Sequence, residues 1–280
     1  MIELLEKGGN HMKISFIGAG KMTHAFCEGL SHTDFFNEHQ VTISNTSHNK
    51  LDELKSLYPI TVTQNNVECI KQSDLIVLAI KPQQFYSVSQ EIKSSLHKDT
   101  IIVSLAAGIT LAQCEKWLNH KKIIRLMPNT AIARNSGAIA CTTLNCTQEE
   151  LDMVVELFQP LGNIYVIDES HMNAYIAANG SGIAFVYELM RVFTQQAIAF
   201  GLDESIAQSV VQNAFSAASQ MVDDTTDIQS LIDQVTSKAG TTIEGINVLR
   251  QSELENIIHR TYDATINRAE DICQSYEGLE

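Results

Sequence analysis

Apolar and polar positions follow two different patterns along this chain, and the change comes near residue 168. Over residues 12–167, short apolar runs alternate with helical patterns, which predicts a doubly wound sheet with helices on both faces. The run at 74–80 is apolar after its first residue, as expected of a parallel strand that is covered on both sides. Strands are predicted at residues 14–17, 41–44, 60–63, 74–80, 100–105, 122–126, 137–143 and 163–167.

Beyond residue 168 only helices are predicted, at 171–179, 183–200, 204–222 and an amphipathic 254–273. The middle helices carry small residues on several faces, so they can approach closely and need cover on more than one side. This part of the chain cannot supply that cover alone, which favours an intertwined homodimer over a self-contained bundle. The small residues are Ala174, Ala177, Ala178, Ala184, Ala197, Ala199, Ala214, Ala217 and Ala218.

Composition restricts the class of protein. No apolar run of the 280 residues reaches the length of a membrane span, and the first eleven residues do not resemble a signal peptide. We interpret those eleven residues as a leader or an expression remnant. The six cysteines form no Cys-x-x-Cys pair and the nine histidines show no metal-ligand spacing. We therefore expect reduced thiols, no metal site and a cytoplasmic location.

Charge is distributed unevenly. Residues 1–167 carry 14 basic and 16 acidic side chains, whereas residues 168–280 carry 5 and 17. The acidic second part argues against nucleic acids and anionic membranes as partners. Any anionic ligand must then be held by backbone amides and a few local cations.

The first predicted strand leads through a glycine turn into a helix. Residues 13–24 are Lys-Ile-Ser-Phe-Ile-Gly-Ala-Gly-Lys-Met-Thr-His, with Thr23 at the third position of a dinucleotide fingerprint. Gly18 allows the tight turn and Gly20 lets the backbone approach a pyrophosphate, which the helix amides face. A Gly-x-Gly pair alone is often only a tight turn, but this context favours a dinucleotide site. The predicted fold class is α/β, with an N-terminal Rossmann-like dinucleotide-binding domain (12–167) followed by an all-α dimerisation domain (168–280).

The segment after the second strand, Ser44-Asn45-Thr46-Ser47-His48-Asn49-Lys50, indicates which dinucleotide binds. An acidic residue there would bind the ribose of NAD and repel a 2′-phosphate, but the first acid is Asp52. Hydroxyls, an amide and two basic side chains favour NADP over NAD. The alternative, a polar turn that caps the next helix, is compatible with this role.

Two further segments carry candidate chemistry. Lys81, in Ala79-Ile80-Lys81-Pro82-Gln83, follows a central strand and is expected in the crevice where ligands bind, although a solvated strand end is the alternative. Residues 233–245 place hydroxyls and a glycine just before a helix that begins near Thr241 or Thr242. Such a turn presents amides and hydroxyls to a carboxylate, but a helix-capping loop is equally consistent with it.

Six segments, in this order and spacing, resemble pyrroline-5-carboxylate reductase, the enzyme that makes proline. The resemblance covers nearly all of residues 12–274, and its most specific part corresponds to the family pattern Asp-Gln-Val-Thr-Ser-Pro-Gly-Gly-Thr-Thr. The segments are Phe16-Ile17-Gly18-Ala19-Gly20-Lys21-Met22, Lys81-Pro82-Gln83, Ser104-Leu105-Ala106-Ala107-Gly108, Met127-Pro128-Asn129-Thr130, Gly180-Ser181-Gly182 and residues 233–242.

The resemblance implies an NADPH-dependent reduction of a cyclic imine, 1-pyrroline-5-carboxylate, to proline. Ser237, Gly240 and Thr241 would hold the substrate carboxylate and Thr242 the ring nitrogen, with Thr242 and Ser237 as the catalytic residues. Because the ring nitrogen carries its own proton, catalysis is mainly positioning and electrostatics. The family's helical domains interlock, and its Thr-Thr loop closes on the partner subunit's cofactor. The implied cofactor residues are Gly18, Ala19, Gly20, Lys21, Met22, Ser44, Asn45, Thr46, Asn66, Ala79, Lys81, Pro82, Ala106 and Asn129.

Departures from the family pattern lie close to the implied site, and they leave alternatives open. Lys238 and Ala239 replace Pro-Gly, Asn179 and Ile183 replace Ser and Pro beside Gly-Ser-Gly, Phe185 replaces Tyr, and Ala131-Ile132 replaces Pro-Ala. One alternative is an NADP-binding paralogue with another imine substrate, or a regulator without turnover. A hydroxyacid dehydrogenase is disfavoured, because residues 182–190 lack the catalytic lysine that resemblance to that class requires.

Overall fold

The computed structural model describes residues 11–276, so the predicted leader, apart from His11, lies outside the described residues. Eight strands form one sheet, and each corresponds to a predicted strand with bounds shifted by a few residues. The strands are β1 (Lys13–Ile17), β2 (Gln40–Ser44), β3 (Thr61–Thr63), β4 (Leu75–Leu78), β5 (Ile101–Ser104), β6 (Ile123–Pro128), β7 (Gly137–Leu144) and β8 (Gly162–Val166).

The strand order is β3-β2-β1-β4-β5-β6-β7-β8, and the first six strands in that order run parallel. The strand β7 is antiparallel to β6, whereas β8 is parallel to β7. Only a short 3₁₀ turn, Thr130–Arg134, lies between β6 and β7. A parallel connection needs a dozen or more residues, so this short link makes the chain reverse direction.

The helices fill the intervals that the sequence pattern left between strands. In the first part they are α1 (Lys21–Leu30), α2 (Phe35–Glu38), α3 (His48–Leu57), α4 (Asn66–Cys69), α5 (Pro82–Ile92), α6 (Leu111–Leu118) and α7 (Gln148–Phe158). They are followed by α8 (Met172–Tyr175), a π-helical turn Ile176–Gly180, α9 (Gly182–Ala199), α10 (Glu204–Gln220), α11 (Ile228–Val235), α12 (Thr241–Gln251) and α13 (Leu254–Gln274).

The helix α11 is absent from the sequence prediction, which treats residues 233–236 as loop. Its apolar residues Ile228, Leu231, Ile232 and Val235 recur at three- and four-residue steps, and the Asp227 side chain accepts a hydrogen bond from the Gln229 amide. Both signals of a short amphipathic helix are therefore present in the sequence.

The sheet is covered on both faces, as a doubly wound fold requires. Along β4, Leu75 and Val77 belong to one apolar cluster, while Ile76 and Leu78 belong to the other. This alternation explains why the strand is apolar at successive positions. Aromatic rings fill the first cluster, where Phe26 packs on Phe16 and on Phe158 with ring centroids 5.8 and 5.2 Å apart.

The chain divides into two compact units. One contains the described residues up to Gly180 together with those from Ile266 onward, and the other is Ser181–Thr265. Residues that follow the sheet still pack in the first unit, since Met172 and Ile176 join Met127 and Ala140 in a third apolar cluster. The domain boundary at 167/168 stays a prediction.

Candidate nucleotide and substrate site

Five of the predicted segments lie at one edge of the sheet. Because β1, β2, β4, β5 and β6 are parallel, their carboxyl ends meet there. Ligands of open α/β sheets bind in the crevice at this edge. The structure therefore brings together the segments that start at Gly18, Ser44, Ala79, Leu105 and Asn129.

The turn after β1 requires a glycine at its first position. Gly18 has a φ of +106°, and a methyl group on it would overlap the carbonyl oxygen of Ala79. Its amide donates to the Ser44 carbonyl at 2.8 Å. The first glycine of the motif thus serves backbone conformation and close packing between neighbouring strand ends.

Gly20 differs, because the protein itself does not need a glycine there. Its φ is −91°, and a methyl group on it would meet no atom within 4 Å. As the residue before α1, it provides no side-chain cap for the first amides of that helix, and the first turn contains no acid. This open space beside uncapped amides suits a pyrophosphate.

Thr23 fills the place of the third glycine. It is fully buried, and its hydroxyl donates to the Gly18 carbonyl at 2.6 Å. The hydroxyl therefore ties α1 to the glycine turn where the fingerprint usually has no side chain.

The end of β2 presents an amide and hydroxyls. Asn45 Oδ1 accepts a hydrogen bond from the Ala19 amide at 3.3 Å, which joins this segment to the glycine turn. Thr46 is exposed, and its carbonyl accepts from Gln64. Ser47 precedes α3 but makes no side-chain capping hydrogen bond. The first amides of α3 therefore have no side-chain cap, whereas the alternative for this segment is a polar turn that caps the helix.

The side chains of Ser44 and Asn66 form a hydrogen bond beside this segment. The Ser44 hydroxyl is fully buried and donates to Asn66 Oδ1 at 2.7 Å, while Asn66 Nδ2 donates to Glu91 at 2.9 Å. Both side chains are thus committed to protein partners, so Ser44 orients Asn66 and offers no free hydroxyl to a ligand.

The ends of β4 and β5 are built from small and exposed residues. Ala79 donates its amide to Ile17, and Ala106 is buried. Lys81 is exposed at the N-cap of α5, with Pro82 as the first residue of that helix. Proline suits this position, since its fixed φ matches the helix and its missing amide would have no partner.

Three lysines lie near this edge, and none forms an ion pair among residues 11–276. They are Lys21 on α1, Lys50 on α3 and Lys81 before α5, and all three are exposed. Free cations beside uncapped helix ends create a local positive potential in an acidic protein.

At the end of β6, Asn129 is 6% exposed and its side chain has two partners. Its oxygen accepts from the Ala131 amide at 3.0 Å, and its nitrogen donates to Asn179 at 2.7 Å. Sequence reasoning marked Asn179 only as a departure from a family pattern. Its place beside Asn129 depends on tertiary structure.

The buried cysteines are poor nucleophiles. None of the six cysteines forms a disulfide, and four are buried. Burial raises the pKa of Cys69 to about 11 and that of Cys27 to about 12, so these thiols stay protonated at neutral pH. Among residues 11–276, no group of three or more His, Cys, Asp or Glu side chains is arranged to hold a metal ion. None of the helices α1 to α13 combines the length and the apolar character that a membrane span requires.

The second unit contains the turn before α12. The Gly240 amide donates to the Ser237 carbonyl at 3.0 Å, which closes a four-residue turn. Ala239, its third residue, has a φ of +63°, whereas Lys238 does not have positive φ. This is the pattern of a type II turn, which prefers proline and then glycine at these two positions. Ala239 in the left-handed region costs about 1 kcal/mol.

The turn leads directly into α12. This helix begins at Thr241, which is one of the two start positions that the sequence predicts. The N-cap is Gly240, and no side chain caps the helix. Gly240 has already committed its amide to the turn, so Thr241 and Thr242 provide the uncapped amides. The Thr242 hydroxyl is exposed and makes no hydrogen bond within the described part of the chain. Thr242 therefore does not cap α12.

Two family models match this chain. The model for pyrroline-5-carboxylate reductase dimerisation matches residues 169–272. The model for NADP oxidoreductase, coenzyme F420-dependent, matches residues 13–108. The two matches fall on the helical second part and on the glycine-turn part of the sheet.

Curated relatives match over nearly the full chain. A pyrroline-5-carboxylate reductase of Arabidopsis thaliana is 30% identical, over 98% of this chain and 100% of that protein. The enzyme of that name from Escherichia coli (strain K12) is 31% identical, over 94% of this chain and 99% of its own length.

Solved structures agree with the fold. A pyrroline-5-carboxylate reductase from Coxiella burnetii aligns with a TM-score of 0.84 and 28% identity, covering 94% of this chain and 99% of that one. Plasmodium falciparum pyrroline carboxylate reductase with NADP bound aligns with a TM-score of 0.85 at 23% identity, covering 95% and 100%. With full-length identity of 30% to its relatives, the chain belongs to the pyrroline-5-carboxylate reductase family.

Proposed function

We propose that this protein reduces 1-pyrroline-5-carboxylate to L-proline with NADPH, the last step of proline biosynthesis. The observation that carries this proposal is the full-length match to enzymes named for that activity. Two features of the structure support it. The carboxyl edge of the sheet has space and uncapped amides that suit a nucleotide, and the turn before α12 carries hydroxyls and uncapped amides. We also propose a cytoplasmic location, because none of the six cysteines forms a disulfide.

The edge of the sheet would hold the cofactor. The turn Gly18-Ala19-Gly20 and the amides of Lys21 and Met22 would take the pyrophosphate, because Gly20 leaves space beside uncapped amides. Asn45, Thr46 and Ser47 would face the adenosine 2′-phosphate. Ala79, Lys81, Pro82, Ala106 and Asn129 would line the nicotinamide side. When bound, NADPH supplies the hydride that reduces the imine carbon.

The turn before α12 would hold the cyclic imine. The Ser237 hydroxyl and the Thr241 amide face the carboxylate, while Gly240 shapes the turn through its own hydrogen bond to Ser237. The ring nitrogen carries its own proton and would donate its N–H to the Thr242 hydroxyl oxygen. These groups orient the imine for hydride addition, so positioning and electrostatics supply the rate. We propose that the turn serves the cofactor site of the partner subunit.

A steady-state assay tests the function directly. NADPH oxidation should depend on added pyrroline-5-carboxylate, and chromatography should identify proline as the product. NADPH binding without turnover would instead support the regulator alternative, which the substitutions at Asn179, Ile183, Lys238 and Ala239 motivate. Turnover with other cyclic imines but not with pyrroline-5-carboxylate would mean that the substrate assignment is wrong.

NADPH should bind more tightly than NADH, and Asn45→Asp should weaken NADPH far more than NADH. An aspartate keeps an oxygen for the Ala19 amide but places a negative charge near the 2′-phosphate. The expected loss for NADPH is on the order of tenfold. Titration with both nucleotides measures it, and tighter NADH binding by the unmutated protein would contradict the assignment. Asn163→Asp adds the same charge at an exposed position of β8, far from β2 in the strand order, and is the matched control.

We propose that the second unit dimerises. Within its described residues, only Gly182, Ala207 and Val211 are buried among the nonpolar residues, whereas many large apolar side chains are exposed. Phe200 is 90% exposed, and α9 contributes Tyr187 and Phe193 at 58% and 51%. Such a surface marks a protein–protein interface. The match of residues 169–272 to a dimerisation family supports the same partner, a second copy.

Dilution should not release a well-folded monomer, because the exposed apolar surface would then face water. Ala214→Leu, at an exposed position of α10, should weaken assembly if that face meets the partner. Ala112→Leu on the exposed face of α6 is the control. Ala177 is fully buried in the first unit, so leucine there would overpack the core and not test the interface. Light scattering that finds a stable folded monomer would refute the dimer.

A further inference from the structure

Asn179 lies in the π-helical turn Ile176–Gly180, beside the end of β6. Its side chain is half-buried, and it is not among the residues predicted to bind the cofactor or the substrate. π-Helical turns are rare and often lie at functional sites. Its side-chain amide has an oxygen and a nitrogen, and the hydrogen-bond partners show which of the two remains free.

One backbone donor determines the orientation of two side chains. The Ala131 amide donates to Asn129 at 3.0 Å, so the Asn129 atom that faces it must be oxygen. The Asn129 nitrogen then faces Asn179 at 2.7 Å, and the Asn179 atom at that contact must also be oxygen. Oxygen and nitrogen of an amide are assigned through such networks, and here the network starts from a group that can only donate.

Tyr175 supports the same orientation. Its hydroxyl lies 3.5 Å from Asn179 Oδ1, at the outer limit of a hydrogen bond. Burial raises the pKa of Tyr175 above its ordinary value, so the hydroxyl keeps its proton and donates. Asn179 Oδ1 therefore has two donors, while Asn179 Nδ2 has no hydrogen-bond partner in residues 11–276. A free pair of N–H donors therefore lies beside Asn129, one of the predicted nicotinamide residues.

We propose that Asn179 Nδ2 donates a hydrogen bond to the carboxamide oxygen of bound nicotinamide. This inference rests on the proposed function, since it requires the cofactor. If the 2′-phosphate lies at the end of β2 and the pyrophosphate at β1, the nicotinamide half would extend toward β4, β5 and β6, which follow β1 in the sheet. The end of β6 is three strand spacings from β1, about 14 Å. A carbonyl oxygen is the acceptor that an amide N–H recognises.

Asn179→Asp tests the proposal. Aspartate keeps an oxygen for Asn129 and Tyr175, but replaces the free donor with a charged acceptor that repels a carbonyl oxygen. Titration calorimetry above pH 7 would compare NADPH with 2′-phospho-ADP-ribose, which lacks nicotinamide. The Kd of NADPH should rise about tenfold or more, because a hydrogen bond is replaced by repulsion. The Kd of 2′-phospho-ADP-ribose should change by less than about twofold.

An unchanged NADPH Kd in a folded Asn179→Asp variant would overturn the proposal, and so would equal weakening of both nucleotides. A raised KM for the imine at unchanged NADPH Kd would assign the amide to the substrate carboxylate instead and overturn the nicotinamide contact. If the aspartate variant does not fold, Asn179→Ala removes the donor for the same comparison. Tyr175→Phe is the structural control, because it keeps the free donor and should keep the NADPH Kd.

NADPH binding without imine turnover in the unmutated protein would count against the proposed function alone. The nucleotide comparison would still decide the role of Asn179, because neither nucleotide titration uses the imine. Failure of the unmutated protein to bind NADPH would end both proposals.

Discussion

Thr242→Ala should lower kcat about tenfold to a hundredfold while the fold and NADPH binding survive. The change removes one hydroxyl that is exposed and has no hydrogen-bond partner within the described residues. If that hydroxyl holds the ring nitrogen, the lost hydrogen bond to a charged group costs about 1.5–3 kcal/mol in the transition state. Steady-state kinetics and melting curves on the same preparation measure both effects.

Two companion variants separate binding from chemistry. Ser237→Ala should mainly raise KM, because its partner is a carboxylate that does not react. Glu244→Ala, also exposed on α12, has no assigned role and should retain activity. Full activity in folded Thr242→Ala would end its catalytic assignment. A capping role is already disfavoured, since the N-cap of α12 is Gly240 and no side chain caps the helix.

Gly18→Ala should mainly lower stability and Gly20→Ala should mainly weaken NADPH binding, although both add one methyl group to the same turn. At Gly18, the φ of +106° and the overlap with the Ala79 carbonyl should cost about 3 kcal/mol or more of stability. At Gly20, the methyl meets no protein atom within 4 Å, so the free protein should melt almost unchanged. The same methyl would occupy the approach to the helix amides and weaken NADPH on the order of tenfold to a hundredfold.

Thermal unfolding without nucleotide, followed by NADPH titration, distinguishes the two glycines. Unchanged NADPH affinity in Gly20→Ala would contradict the assignment of the pyrophosphate to this turn. A stable Gly18→Ala variant would contradict the strain that its φ implies. The pair is informative because only one of the two glycines is required by the protein's own packing.

The resemblance of the motifs led to the correct family, and the periodic pattern led to the correct fold class, for a physical reason. Buried parallel strands must be apolar on both faces, so β4 and β5 are recognisable without any tertiary information. The glycine turn is equally local, because its function depends on backbone freedom at Gly18 and on a helix that starts three residues later. The helix α11 was also encoded locally and was missed.

Competition for hydrogen-bonding groups depends on contacts between residues that are distant in the chain. Ser44 carries a hydroxyl that could bind a ligand, but the structure commits this hydroxyl to Asn66, 22 residues away. Two other features are local. A short link after Asn129 reverses the chain between β6 and β7, and the Gly240 amide donates to Ser237 within one turn.

The sequence by itself determined the strands, the glycine turn and the small-residue helices, because each depends on residues close together in the chain. Only the tertiary structure placed Asn179 against Asn129, 50 residues apart, and buried Ala177 while leaving Ala214 exposed. Local patterns specify which groups a segment offers. Which of those groups remain free for a ligand or a partner depends on what the fold packs beside them.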